Sequence, residues 1–96
     1  MKVVKLSHPN YEYDVHSLVK AFYAEDQVTV ITPETKPEKL AELEPQVSLE
    51  IELAETGAKI RVGEEDFLWD AETENLADGY KNGLKRFLYR TLSKVT

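Results

Sequence analysis

The sequence predicts an α+β domain: a mainly antiparallel sheet of four to six strands, with two helices packed on one face. Three observations carry this. Val47, Leu49, Ile51 and Leu53 alternate with Ser48, Glu50, Glu52 and Ala54, the period-two pattern of a strand with one dry and one wet face. After a turn at Glu55-Thr56-Gly57, Ala58, Ile60 and Val62 alternate with Lys59 and Arg61, so a second strand returns beside the first. Leu76, Tyr80, Gly83, Leu84, Phe87, Leu88, Thr91, Leu92 and Val95 fall on one helical stripe, which predicts a C-terminal helix of about 24 residues, spanning about 72–95.

The remaining elements follow in chain order. Lys2-Val3-Val4-Lys5-Leu6 is short and β-branched and reads as a strand. Pro9 and Asn10 mark a turn. Tyr11-Glu12-Tyr13 alternates aromatic and acidic and suits a second short strand. Asp14 then serves as N-cap, its carboxylate accepting the amide of Ser17; a helix starting at Asn10 is the alternative. Val15, Leu18, Val19 and Phe22 give that helix an apolar face and carry it to about Tyr23. Val28–Ile31 is a strand. Thr32 to Gln46 reads as a solvated loop, with Leu40 and Leu43 allowing one short helical turn. Across the 47–62 hairpin, Lys59 and Arg61 face Glu50 and Glu52. Gly63-Glu64-Glu65 is a turn or bulge, and Asp66–Trp69 another short strand. Asp70 or Thr73 caps the last helix, and Glu72 and Glu74 in its first turn suit the dipole. Gly83 on its stripe implies close approach to the sheet. The second face of the sheet is expected to be largely polar. No Gly or Asn follows the stripe before Thr96, so the chain reads as the front part of something longer.

Composition narrows the function classes. The chain has 96 residues, 42% hydrophobic and 31% charged, the profile of one folded domain. It contains no cysteine, which excludes disulfides, zinc–thiolate sites, iron–sulfur ligation and thiol nucleophiles within it. No apolar run approaches the roughly 18–20 residues of a membrane span, and Met1-Lys2-Val3-Val4-Lys5 is no signal peptide. The expected location is the cytoplasm. The net charge of −6 divides unevenly: residues 1–80 carry −11, while residues 81–96 hold five bases and no acid. An acidic body argues against nucleic acid and against anionic membranes as partners.

Candidate chemistry is sparse. His8 and His16 are the two histidines, and neither has a convergent nucleophile or carboxylate at catalytic spacing. Glu64, Glu65, Asp66 and Asp70 lack the ligand spacing of a calcium loop. The glycines match no phosphate-binding motif. Catalytic, metal and cofactor-binding residues are therefore all expected to be absent. Lys81, Lys85, Arg86, Arg90 and Lys94 form a basic stripe, and Tyr89 lies off the apolar face beside them. A solvated face complementing the helix dipole accounts for such a stripe; so does a docking surface for an acidic partner.

The segment His8-Pro9-Asn10-Tyr11-Glu12-Tyr13-Asp14-Val15, running into Leu18-Val19-Lys20-Ala21-Phe22-Tyr23, resembles the start of bacterial coproporphyrinogen dehydrogenase-like radical SAM proteins. Lys81-Asn82-Gly83-Leu84-Lys85-Arg86-Phe87-Leu88-Tyr89-Arg90-Thr91-Leu92-Ser93-Lys94-Val95-Thr96 is similar to the helix that leads into their catalytic region. The resemblance implies a parent enzyme of the oxygen-independent coproporphyrinogen III oxidase type, in porphyrin and haem biosynthesis. Such an enzyme holds a 4Fe–4S cluster on a CxxxCxxC motif, uses S-adenosylmethionine, and oxidatively decarboxylates two propionates to vinyl groups. No cysteine here can supply those ligands, so no catalytic residue carries over to any position. The resemblance implies instead a non-catalytic N-terminal accessory domain with a structural or docking role. Its partner would be the downstream catalytic domain of the same chain, and the domain would be monomeric in isolation. The alternative is a free-standing protein–protein interaction module that docks through the basic helix.

Overall fold

In the computed structural model, residues 1–23, 27–70 and 79–96 are described. Among them, strands β1 (Lys2–Leu6), β2 (Val28–Ile31), β3 (Val47–Ala54), β4 (Gly57–Val62) and β5 (Glu65–Asp70) form one sheet in the order β2-β1-β3-β4-β5. β3, β4 and β5 are an antiparallel meander. β1 runs parallel to both its neighbours, β2 and β3. Helix α1 (Glu12–Phe22) makes the crossover from β1 to β2, the connection a parallel pair requires. Helix α3 (Gly79–Val95) lies beside α1 on the same face. The fold is α+β, as the alternation predicts.

The main core sits between that face and the two helices. Val4 and Leu6 of β1, Leu49 and Ile51 of β3, and Ile60 of β4 meet Val15 and Val19 of α1 and Leu84, Leu88 and Leu92 of α3. The β3–β4 register pairs Ile51 with Ile60 and Glu52 with Lys59, so the period-two pattern places every apolar partner on the dry side. Gly83 is buried on the inner stripe of α3.

Three expectations are corrected. Tyr11-Glu12-Tyr13 is not a strand, and Asp14 is not the N-cap. The helix begins at Glu12, and Tyr11 is its N-cap in a left-handed conformation, φ 66°, with no side-chain cap. The Tyr11 ring lies against Tyr80 at 5.7 Å, and Asp14 falls inside the first turn. Second, Thr32–Gln46 is more ordered than a loop with one helical turn. Pro37 opens helix α2 (Pro37–Leu43), followed by a 3₁₀ turn over Glu44–Gln46; proline suits the first helical position because its missing N–H has no intrahelical partner there. Third, the second face is not uniformly wet. α2 covers its β1–β2 half, where Val3, Ile31 and Leu43 form a small second core with Leu40 and Val47. The meander half does face solvent, through Ser48, Glu50, Glu52 and Arg61.

The cross-strand ion pairs are half as expected. Lys59 Nζ lies 3.6 Å from Glu52 Oε2. Arg61 stands opposite Glu50 in register, yet its guanidinium forks onto Asp66 on the other side, at 2.8 and 3.2 Å. The bidentate fit outcompetes the single contact. This pairing holds the Asp66 carboxyl below its ordinary range. The predicted start of the last helix, with its cap at Asp70 or Thr73 and acids at Glu72 and Glu74, falls largely outside the described residues.

Two glycines are constrained for different reasons. Gly63 is the first central residue of the two-residue turn between β4 and β5, at φ 64°, where a hairpin turn of matching twist requires positive φ. At Gly57 the limit is space: an added methyl group would collide with the Trp69 carbonyl across the ladder. Urea denaturation of Gly57→Ala is expected to show a loss of about 1–3 kcal/mol, since backbone must move. Gly63→Ala is expected to lose about 1–2 kcal/mol through φ alone, with nothing to strike nearby.

Candidate docking surface

α3 orients its charges through its own period. Gly83, Leu84, Phe87, Leu88, Thr91 and Leu92 are buried against the sheet. The remaining positions divide into two rows on opposite flanks, because residues four apart share a face. Lys81, Lys85 and Tyr89 make the row toward α1; Arg86, Arg90 and Lys94 make the row on the other flank, toward β5. The six residues of the predicted docking surface therefore span the exposed side of α3, with Arg86 and Tyr89, three residues apart, meeting between the rows.

The first row is already engaged with α1. Asp14 Oδ2 lies 3.6 Å from Lys81 Nζ, and Asp14 Oδ1 lies 3.9 Å from Lys85 Nζ. Tyr89 packs its ring edge-to-face on Phe22 at 5.1 Å and still leaves 59% of its surface exposed. Asp14, read from sequence as a cap, is the acid that ties the two helices together. In the second row, Arg90 and Lys94 rim a cleft of about 520 Å³ whose opposite side is β5.

Both histidines hold backbone. His8 Nδ1 accepts the amide of Asn10 at 3.1 Å. His16 Nε2 donates to the Val28 carbonyl at 2.8 Å, so His16 pins α1 to β2. Among the described residues, no three His, Asp or Glu side chains converge as metal ligands, and no helix is long and apolar enough to cross a membrane.

A second cavity, also about 520 Å³, opens where β1 and β3 end, lined by His8, Asn10, Tyr11, Leu53, Glu55 and Tyr80. The Tyr80 hydroxyl donates to the Gly57 carbonyl at 2.7 Å. Burial pushes the Tyr80 phenol above its ordinary range, against a smaller opposing pull from the Ala54 backbone. Trp69 stacks on Phe87 at 6.0 Å and tilts against Tyr80 at 5.2 Å. Its indole N–H is buried and has no acceptor among the described residues.

Sequence reasoning missed the β5 side of this surface. The available signal was Leu68, an apolar residue at a wet-face position of β5, and it is 77% exposed. Comparison with protein-family models, with curated proteins and with solved structures finds no match to this chain.

Two outcomes follow from this geometry. Asp14→Asn is expected to cost less than about 1 kcal/mol, as exposed lysines are screened by water, and the difference is expected to shrink when denaturation is repeated in high salt. For Tyr80, folding favours the protonated phenol. Its contribution is complete below pH 10, the ordinary tyrosine value, and is lost as pH rises through the higher folded value. Tyr80→Phe is expected to lose about 1 kcal/mol at neutral pH with its hydrogen bond and to show a shallower fall in stability above pH 10.

Proposed function

We propose that this chain is a non-catalytic N-terminal accessory domain of a radical SAM protein of the coproporphyrinogen dehydrogenase type, with a structural or docking role toward the catalytic region. One observation carries the reading. The two segments that bear the resemblance, 8–23 and 81–96, form α1 with its entry loop and α3, and these pack side by side as one layer. Residues far apart in sequence thus contribute to a single surface that a following domain can meet.

The residues assigned to contact are Lys85, Arg86, Tyr89 and Arg90. Tyr89 favours this surface because a half-exposed aromatic flanked by arginines is the composition enriched at protein interfaces. The same composition would serve an unrelated acidic partner, and that is the competing reading. The 4Fe–4S cluster and S-adenosylmethionine belong, on this proposal, to the catalytic region alone.

An NMR titration of labelled 1–96 with the separately expressed radical SAM remainder tests it. Shifts concentrated on the amides of 85–90 are expected. The absence of any shift, with a lysate pulldown recovering a different acidic protein through the same helix, sinks the accessory-domain reading in favour of the free-standing module. Anaerobic reconstitution of 1–96 is expected to leave it colourless; an iron–sulfur absorption band would overturn the assignment of the cluster.

A further inference from the structure

β1 and β3 run side by side and parallel, but the chain leaves their carboxyl ends in opposite directions. From β1 it passes through residues 7–11 into α1 and on to β2; from β3 it turns at 55–56 straight into β4. Neighbouring parallel strands whose connections diverge leave a crevice at their carboxyl ends, and that crevice is where open sheets take small ligands. Here it is the cavity of about 520 Å³ bounded by the loop after β1, the end of β3 and Tyr80. Small-molecule sites run from roughly 300 to 1,000 Å³. The cavity shares no residue with the two charged rows of α3.

The lining selects the chemistry of an occupant. It contains one carboxylate, Glu55, and no lysine or arginine. Glu55 is exposed and has no ion-pair or hydrogen-bond partner among the described residues. Glu12 and Asp14, in the first turn of α1, offset the positive end of its dipole beside the cavity. Positive charge is therefore favoured over negative. Tyr11 and Tyr80 line the cavity with rings 5.7 Å apart, tilted by 33°, and ring faces attract alkylated ammonium groups. Leu53 and Ala54 add apolar surface for N-methyl groups. Tyr80 is tethered by its hydroxyl to the Gly57 carbonyl and Tyr11 by its place as N-cap, so both rings are set before a ligand arrives. His8 adds direction. Its Nδ1 accepts the Asn10 amide, which leaves the proton of the neutral ring on Nε2, as a donor.

The geometry points to this cavity as a binding site for a small alkylated ammonium compound that also carries an oxygen acceptor. The cation sits against the tyrosine rings beside Glu55, and the oxygen accepts from His8.

Choline is the probe. Its neutral control is 3,3-dimethyl-1-butanol, the same shape with carbon in place of the charged nitrogen, and inorganic phosphate is the anionic control. Each is titrated into labelled 1–96 at constant ionic strength. Millimolar choline is expected to shift the amides of residues 8–12 and 53–55, with magnetisation transfer from its methyl protons to the Tyr11 and Tyr80 rings. The neutral alcohol is expected to bind about fivefold more weakly. Glu55→Gln, a change at an exposed position, is expected to weaken choline about threefold with the rest of the spectrum unchanged. Tyr11→Asn keeps a residue that tolerates positive φ while removing the ring, and is expected to weaken choline about fivefold. The inference fails if choline in the tens of millimolar leaves those amides unmoved, or if the neutral alcohol binds equally well. It fails too if Glu55→Gln binds choline unchanged, or if phosphate shifts the same amides in choline's place.

Discussion

Burial of β1 on both faces is the constraint on which the rest of the structure depends. Val3, Val4 and Leu6 are all fully buried: Val4 and Leu6 under α1 and α3, Val3 under α2. A strand dry on both sides along its length suits the inside of a sheet, with a partner on each flank, and β2 and β3 supply them in parallel. That in turn requires a crossover on each side of it, α1 in one case and the α2 segment in the other. Its two lysines escape the core by their length. Lys5 reaches Glu44 at 2.8 Å, and Lys2 lies 4.0 Å over the Tyr23 ring.

The meander was legible in the sequence because one-sided burial imprints a period of two. Leu49–Ala54 and Ala58–Val62 declare both their type and their pairing, down to Lys59 against Glu52, whereas a register shift turns Val47 to the second core. The inner stripe of α3 was legible for the same reason at period 3.6. Less could be read where burial is two-sided or where geometry stands in for side-chain chemistry. Nothing in Lys2–Leu6 distinguishes a parallel central strand from an edge. The α1 start misleads because Tyr11 caps it through backbone conformation, which leaves no Ser, Thr, Asp or Asn at the cap position. α2 is read only as one short helical turn because only Leu40 and Leu43 of its seven residues turn toward the sheet.

The docking surface was legible as a list of residues but not as a shape. Spacing places Lys81 and Lys85 on one flank and Arg90 and Lys94 on the other, yet what each flank meets depends on the tertiary fold. One flank meets Asp14 and Phe22 of α1; the other overlooks β5. The charge imbalance between body and tail is therefore partly internal. Lys81 and Lys85 of the tail hold α3 to α1 through Asp14, and Arg90 and Lys94 lie along the cleft beside β5.

The placement of β1 between β2 and β3 has a consequence for synthesis. Chain order and spatial order disagree at this one point: β1, α1 and β2 leave the ribosome first, but β1 has only one neighbour until β3 emerges. The contacts joining β1 to β3 span more than forty residues, whereas the meander closes through two-residue turns. Long loops are costly to close early and local hairpins are not. The first half of the chain thus waits, with a valine-rich strand unsheltered on one side, for a template that the second half builds on its own. A nascent chain stalled before residue 47 would be the form most in need of a chaperone.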